Sequence, residues 1–205
     1  MKSLFLALLV MLPGLCAAAE KTSATADVTG MRWSEAKANS WYKKQPWLVG
    51  CNFIPSTAIN QLEMWQAGTF DLTTIDRELA MAHELGFTTV RVFLHDILWR
   101  EDREGFLKRI DQFLSIGDKH KIGVMLVLFD SVWDPFPKPA SQPAPVPRVM
   151  GSAWVQSPGA DILKDPDKQD ELKEYVVGIL SRFKDDHRVQ IWDLHNEPDL
   201  SLIHI

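Results

Sequence analysis

The sequence lacks an excess of basic charge and any long apolar run beyond its first residues. It has 22 basic and 27 acidic side chains among 205 residues, so we expect no broad electrostatic contact with nucleic acid. No segment reaches the roughly 20 apolar residues that a membrane-spanning helix needs, so no membrane span is expected. The composition, 46% hydrophobic and 24% charged, is that of an ordinary globular protein, and the length is that of one domain.

Several motifs of cofactor binding and catalysis are also missing. The six histidines are scattered and form no His-Glu-x-x-His pair, so we predict no metal site and no cofactor. No Gly-x-Gly-x-x-Gly or phosphate-binding loop follows the first predicted strand, and no Gly-x-Ser-x-Gly occurs anywhere. These absences disfavour a metalloenzyme, a nucleotide-binding protein and an esterase of the α/β-hydrolase type.

Residues 1–19 are predicted to be a secretory signal peptide. A lysine precedes an apolar run, and three alanines end at Ala19 as a cleavage site. Export makes the protein secreted or periplasmic and leaves Cys51 as its only cysteine, so stability must come from core packing. A lipoprotein attached at Cys16 is the less favoured alternative, because Leu15 stands where a small residue is expected.

After a small, polar segment (residues 20–32) that we interpret as a flexible leader, strand and helix patterns alternate. Strands are predicted at residues 47–53, 87–94, 122–129 and 189–194, and helices at 33–44, 71–85, 101–120 and 170–184. Apolar strands separated by amphipathic helices predict a parallel sheet covered by helices. A doubly wound sheet and a (β/α)8 barrel both fit this pattern, and in a barrel the strand ends form the catalytic face.

The strongest functional signal is Asn196-Glu197-Pro198, at the end of the fourth predicted strand. A carboxyl such as Glu197 can protonate a leaving oxygen when burial and a second carboxylate raise its pKa. The amide of Asn196 can hydrogen-bond a sugar hydroxyl. A simple turn is the alternative, since Asn and Pro favour turns, but the position at a strand end favours the functional interpretation.

Polar residues of the second and third strands are further candidates. Arg91 stands in an apolar strand and is predicted to pair with buried carboxylates, either at the site or in a structural ion pair. His95 is predicted to contact substrate or a carboxylate, or to be a polar packing residue. Asp96 is expected to cap a helix or loop. Asp130 is expected to bind sugar hydroxyls or to cap a turn.

Eight tryptophans against two tyrosines are unusual, and several of them follow predicted strands. An indole has a flat apolar face and a polar edge, which suits a sugar ring. Trp133 is the best candidate for binding substrate, with Trp65 and Trp154 as further candidates. The alternative for each is to anchor the long proline-rich loop at residues 131–165.

The motif at residues 196–198, after a Trp-containing strand, resembles glycoside hydrolase family 5, the cellulase-like barrels, and their wider clan. The resemblance extends over about residues 33–199. It implies that Glu197 is the general acid/base, that Asn196 contacts the sugar 2-hydroxyl and that Arg91 supports the catalytic carboxylates. The implied substrate is an oligo- or polysaccharide with β-linked sugars, cleaved at its O-glycosidic bonds.

The resemblance also implies a (β/α)8 TIM barrel, of which residues 33–205 are the N-terminal half. Retaining glycosidases need two carboxylates about 5–5.5 Å apart. In the resembled family the nucleophile is a Glu of the seventh strand, which lies beyond this sequence, so we expect a fragment inactive alone. The alternatives are another hydrolase of the clan (mannanase, xylanase or β-glucosidase) and a non-catalytic carbohydrate-binding half-barrel that self-associates through open sheet edges.

Overall fold

The computed structural model describes residues 32–199, so the predicted signal peptide and nearly all of the predicted leader lie outside the described residues. The chain divides into two compact units, and the second begins at Trp47. The first unit holds helix α1 (Glu35–Tyr42), close to its predicted place, and the Ser34 side chain caps its N-terminus. In the described part, no helix has the length and apolar character to cross a membrane.

The second unit is built on one parallel sheet of four strands. The strands are β1 (Gly50–Asn52), β2 (Thr89–Phe93), β3 (Gly123–Asp130) and β4 (Val189–Asn196). The helices are α2 (Gln61–Trp65), α3 (Leu72–Glu84), α4 (Asp96–Lys119), α5 (Ala160–Leu163) and α6 (Gln169–Phe183), with a 3₁₀ turn at Pro166–Lys168. The elements follow the predicted alternation, although β1 is shorter than predicted.

The order of the strands decides between the two predicted architectures. The sheet runs β1-β2-β3-β4, and each neighbouring pair is parallel. A doubly wound sheet reverses its strand order at a switch point, whereas a (β/α)8 barrel places each strand beside its predecessor. The described fold is therefore a half-barrel of four strands, as predicted.

The two faces of the sheet are covered differently. The side chains that point towards the helices are fully buried: Val90, Val92, Val124, Leu126 and Leu128. They pack with apolar side chains of α4 such as Phe106, Ile110, Phe113 and Leu114. The opposite face, which is the inner face of the barrel, carries partly exposed side chains, among them Arg91, Met125, Asp193 and His195. Strand β1 is exposed, because it lies at the edge of the described sheet and pairs only with β2.

Helix α4 is broken near its start. Asp102 has non-helical backbone angles (φ −149°, ψ 64°), and its carboxylate accepts the Gly105 N–H at 3.0 Å and pairs with Arg109 at 2.8 Å. A Cβ at Gly105 would collide with that carboxylate. The break explains why the helix begins at Asp96, five residues before its predicted start.

The proline-rich loop between β3 and α5 is held against the start of α2. The Asn60 side chain caps α2 through its oxygen, and its NH₂ donates to Gln142 Oε1 and to the Ala153 carbonyl, both at 2.8 Å. Asn60 and Gln142 are both buried, so these hydrogen bonds are shielded from water. The loop returns to the sheet where Ser157 forms a bridge with Asp130. It is therefore an anchored part of the fold.

Candidate active site

A cleft of about 400 Å³ opens at the carboxyl ends of the strands. Every described strand contributes to it, and the proline-rich loop completes its wall. The lining residues are Asn52, Phe53, Arg91, Phe93, Asp130, Trp133, Gly151, Trp154, Asn196 and Glu197. The carboxyl ends of the strands are where barrel enzymes carry their active sites. The cleft brings together most of the residues that the sequence predicted.

Arg91 connects three strands beneath this cleft. Its Nη2 lies 2.6 Å from Asp193 Oδ2 and 2.9 Å from Asn196 Oδ1, and its Nη1 lies 3.3 Å from Asn52 Oδ1. The guanidinium also lies 4.7 Å from the ring centre of Phe93. Arg91 therefore forms an ion pair with a carboxylate, as predicted, although this partner, Asp193, is partly exposed where a buried one was expected. Arg91 also fixes the side chain of Asn196.

Asp130 holds the other side of Asn196. Asn196 Nδ2 donates to Asp130 Oδ1 at 2.8 Å, and the Trp154 indole N–H donates to Asp130 Oδ2. Burial raises the pKa of Asp130, and the two donors partly offset this rise because they stabilise the charged form. With both oxygens occupied and 1% of its surface exposed, Asp130 orients Trp154 and Asn196.

Glu197 is the exposed carboxylate of the cleft. It follows β4 directly, and its φ of 49° places it in the left-handed region that turns the chain out of the strand. No hydrogen bond or ion pair engages its carboxylate within residues 32–199. Non-glycine residues with such backbone angles occur often at functional sites, where the surrounding structure supports the strain.

Two tryptophans form the apolar wall. The indole of Trp133 lies on Gly151, whose φ is +70°, and a Cβ at Gly151 would collide with it. Trp154 meets the Phe93 ring edge to face, with the centroids 5.4 Å apart. Trp133 keeps 39% of its surface exposed, so it can contact a ligand.

The structure does not place Trp65 and His95 at the cleft. Trp65 is fully buried, donates its indole N–H to the Phe93 carbonyl at 2.8 Å and packs against Phe113. His95 is also fully buried, and its Nδ1 accepts the Ile97 N–H at the start of α4. The prediction of substrate contact for Trp65 is wrong, because its segment folds into α2 under the sheet. For His95 the structure agrees with a polar packing residue and not with substrate contact, since it caps α4 and its Nδ1 lies 3.2 Å from Asp96 Oδ1.

Three residues near the site were not singled out from the sequence. Asp193 is the partner of Arg91, and Ser131 Oγ lies 2.7 Å from His195 Nε2. Burial lowers the pKa of His195, whereas the charges of Asp130 and Asp193 act in the opposite direction. Asp193 and His195 are two positions apart in β4 and so lie on the same face of the strand. This spacing could have assigned both of them to the inner face.

The cleft offers hydrogen-bonding groups, two indoles and one exposed carboxylate. Among residues 32–199, no group of three or more His, Cys, Asp or Glu side chains is placed to hold a metal ion. Indole faces beside amide and carboxylate groups suit a polyhydroxylated ligand. A carboxylate that reaches such a ligand can exchange a proton with it.

Comparisons with known proteins agree with this fold. Neither a protein-family model nor a curated protein matches the sequence. Among solved structures, an exo-β-1,4-mannosidase from Opitutaceae bacterium strain TAV5 is similar, with a TM-score of 0.52, 24% identity and coverage of 74% of this chain and 25% of that one. A GH5_18 protein from Bifidobacterium longum subsp. longum ATCC 55813, in complex with Manβ1-4GlcNAc, has a TM-score of 0.51, 17% identity and coverage of 76% and 36%.

The fold is therefore that of part of a (β/α)8 barrel, similar to part of each of these two structures. The resemblance to family 5 barrels, predicted from residues 196–198, is confirmed at the level of the fold. The chain spans about a quarter and about a third of the length of these two solved structures. The roles of the individual site residues stay predictions.

Proposed function

We propose that the chain is the N-terminal half of a secreted, retaining glycoside hydrolase that cleaves a β-linked glycan, with Glu197 as the general acid/base. The observation that carries this proposal is the exposed carboxylate of Glu197 at the end of β4, beside an Asn196 that is fixed from both sides. The glycosidase fold supports it.

The contacts of Asn196 define its part in the reaction. Its oxygen accepts from Arg91, and one of its two N–H groups donates to Asp130, so one N–H remains for a sugar hydroxyl. A sugar held there presents its glycosidic oxygen to Glu197, which donates a proton to the leaving group. Glu197 then accepts a proton from the water that releases the bound sugar.

The second carboxylate would come from a strand outside this chain. Retaining hydrolysis needs a nucleophile about 5–5.5 Å from the acid. Asp130 and Asp193 are the nearby carboxylates of the described strands, and hydrogen bonds engage both of them. We therefore expect residues 20–205 alone to bind glycan without turnover.

The substrate proposed first is a β-mannoside. The two similar structures carry the names exo-β-1,4-mannosidase and a complex with Manβ1-4GlcNAc. Xylan and β-glucan are the other substrates to compare. A non-catalytic carbohydrate-binding half-barrel is the second candidate, because the strands described here supply only one exposed cleft carboxylate.

The first experiment is the intact mass and N-terminal sequence of the native protein from its source. We expect a chain that begins at Glu20 and has a mass above 23.3 kDa. The native protein is then tested for hydrolysis of 4-nitrophenyl β-mannoside. Glu197→Gln should reduce the rate about 100- to 10,000-fold, which is the usual contribution of general acid–base catalysis.

Asp199→Asn is the matched control, since it neutralises an exposed carboxylate of the same turn that does not line the cleft. Full activity of Glu197→Gln would overturn the proposed role of Glu197. Binding of mannobiose without hydrolysis, in a native protein with the mass of residues 20–205, would favour the non-catalytic half-barrel.

A further inference from the structure

Two more cavities follow the cleft along the proline-rich loop. The middle cavity, of about 420 Å³, is lined by residues that include Asp134, Phe136, Lys138, Gln142, Ser152 and Trp154. The outer cavity, of about 500 Å³, lies between the loop and the starts of α4 and α6; Phe136, Lys138, Arg100, Asp161 and Glu171 are part of its lining. Each has the size of a pocket for a small molecule or a sugar unit.

The three cavities adjoin one another in series. Trp154 lines both the cleft and the middle cavity. Phe136 and Lys138 line both the middle and the outer cavity. One aromatic side chain therefore lies at each of the two boundaries, Trp154 at the inner one and Phe136 at the outer one.

Phe136 presents an exposed aromatic ring on a backbone that is held in place. It is 52% exposed and lies between Pro135 and Pro137, whose rings fix the backbone. The Phe136 N–H donates to Asp134 Oδ1 at 2.9 Å, which holds the turn independently of the ring. An aromatic ring on a backbone that is already held in place leaves less conformational entropy to be lost when a sugar ring binds.

The charges around the outer cavity balance. Three cations and three anions line it: Arg100, Lys138, Lys168, Glu101, Asp161 and Glu171. Arg100 is already paired with Asp96 at 3.0 Å and with Glu171 at 3.6 Å. The middle cavity adds amide and hydroxyl groups from Gln142 and Ser152. This lining suits an uncharged ligand with many hydroxyl groups.

We propose that the three cavities bind one uncharged polysaccharide chain, which extends from the cleft past Trp154 and Phe136 to the outer cavity. This inference rests on the proposed function, because it takes the cleft as a glycan site. It adds that the preferred ligand is a chain of several sugars and that its distal units are held by the loop. Specificity for length then resides in Phe136, away from the reacting bond.

The test compares the binding of short and long neutral oligosaccharides to residues 20–205, for which we expect no turnover, by isothermal titration calorimetry. The probes are β-1,4-linked manno- and gluco-oligosaccharides of two and six units. We expect the hexasaccharide of the preferred series to bind at least tenfold more tightly than the disaccharide. Phe136→Ala should weaken hexasaccharide binding about three- to tenfold and leave disaccharide binding unchanged. Phe136→Trp should retain the binding.

Trp47→Ala is the matched control, because Trp47 is an aromatic side chain with 83% exposure that lines none of the three cavities. Equal affinity for the two lengths, or an unchanged hexasaccharide affinity in Phe136→Ala, would overturn this inference and leave the proposed function intact. Tighter binding of a hexa-uronate would overturn the uncharged ligand. Failure of every oligosaccharide to bind would overturn the proposed function together with this inference.

Discussion

The helix-facing and inner faces of the sheet differ in composition. Side chains such as Val92 and Leu126 point towards the helices and are fully buried among apolar neighbours. On the other face, Arg91, Asp193 and His195 are partly exposed; Arg91 pairs with Asp193, and His195 contacts the Ser131 hydroxyl. The difference shows that packing stability comes mainly from the helix-facing side, whereas the inner side carries the residues proposed for chemistry.

The largest expected effect compares two neighbours in β3. Leu126→Ala removes a fully buried side chain and should destabilise the fold by about 2–5 kcal/mol, because it leaves a cavity. Met125→Ala, on the partly exposed inner face, should cost less than half as much. Urea unfolding of both variants measures the difference, and equal losses would remove the distinction between the faces.

The next effect concerns the ion pair of the inner face. Arg91→Ala leaves Asp193 partly buried without its partner and should cost about 1–3 kcal/mol, measured by thermal unfolding. Arg103→Ala is the control, since its pair with Glu174 is exposed and should contribute at most about 1 kcal/mol. A smaller loss for Arg91 than for Arg103 would contradict the structural role of the inner pair.

A smaller effect is expected where the loop meets the inner face. Gly151→Ala adds a methyl group at a positive φ and displaces the Trp133 indole, at a cost of about 1–2 kcal/mol. The tryptophan fluorescence spectrum should shift as the indole moves. Gly68→Ala is the control, because a Cβ there meets nothing within 4 Å. An unchanged spectrum in Gly151→Ala would show that the indole does not depend on this glycine.

The smallest effect is a pH dependence. Burial lowers the pKa of His195 below its ordinary value of 6.5 in the folded protein. The neutral form of His195 therefore contributes its full stabilisation above pH 6.5. This contribution is lost as the pH falls through the pKa that His195 has in the folded state. The unfolding temperature should fall between pH 7 and 5, with a flatter profile for His195→Gln than for the exposed-histidine control His187→Gln. Parallel profiles would show that His195 does not titrate differently on folding.

The buried side of the fold could be predicted from the sequence better than the inner face of the sheet. Phe106, Ile110, Phe113 and Leu114 repeat with helical spacing, so their common face could be predicted and is confirmed by their burial. The half-barrel could be predicted only with the resemblance at residues 196–198, because the alternation of strands and helices also fits a doubly wound sheet; the strand order confirms it. Amphipathic spacing reports which residues are buried without any knowledge of their partners.

The site required knowledge of partners that are distant in the sequence. The ion pair of Arg91 joins residues 102 positions apart, and the sequence predicted a carboxylate partner without identifying Asp193. Trp65 was misassigned because a position after a strand does not say whether the chain then turns towards the cleft or under the sheet, and the same ambiguity left two interpretations of His95 open. Asp130, Trp133 and Trp154 meet in the cleft because the long loop folds back, which local spacing does not encode.

The break in α4 at Asp102 divides the helix into two segments with different contacts. The segment before it carries Asp96, which accepts the Ser157 hydroxyl at 2.9 Å and so secures the proline-rich loop. The same segment carries Leu98 and Trp99, which are buried in the core. The segment after it carries Phe106 and the rest of the buried side chains of the helix. The proline-rich loop is therefore joined to the hydrophobic core through this short helical segment.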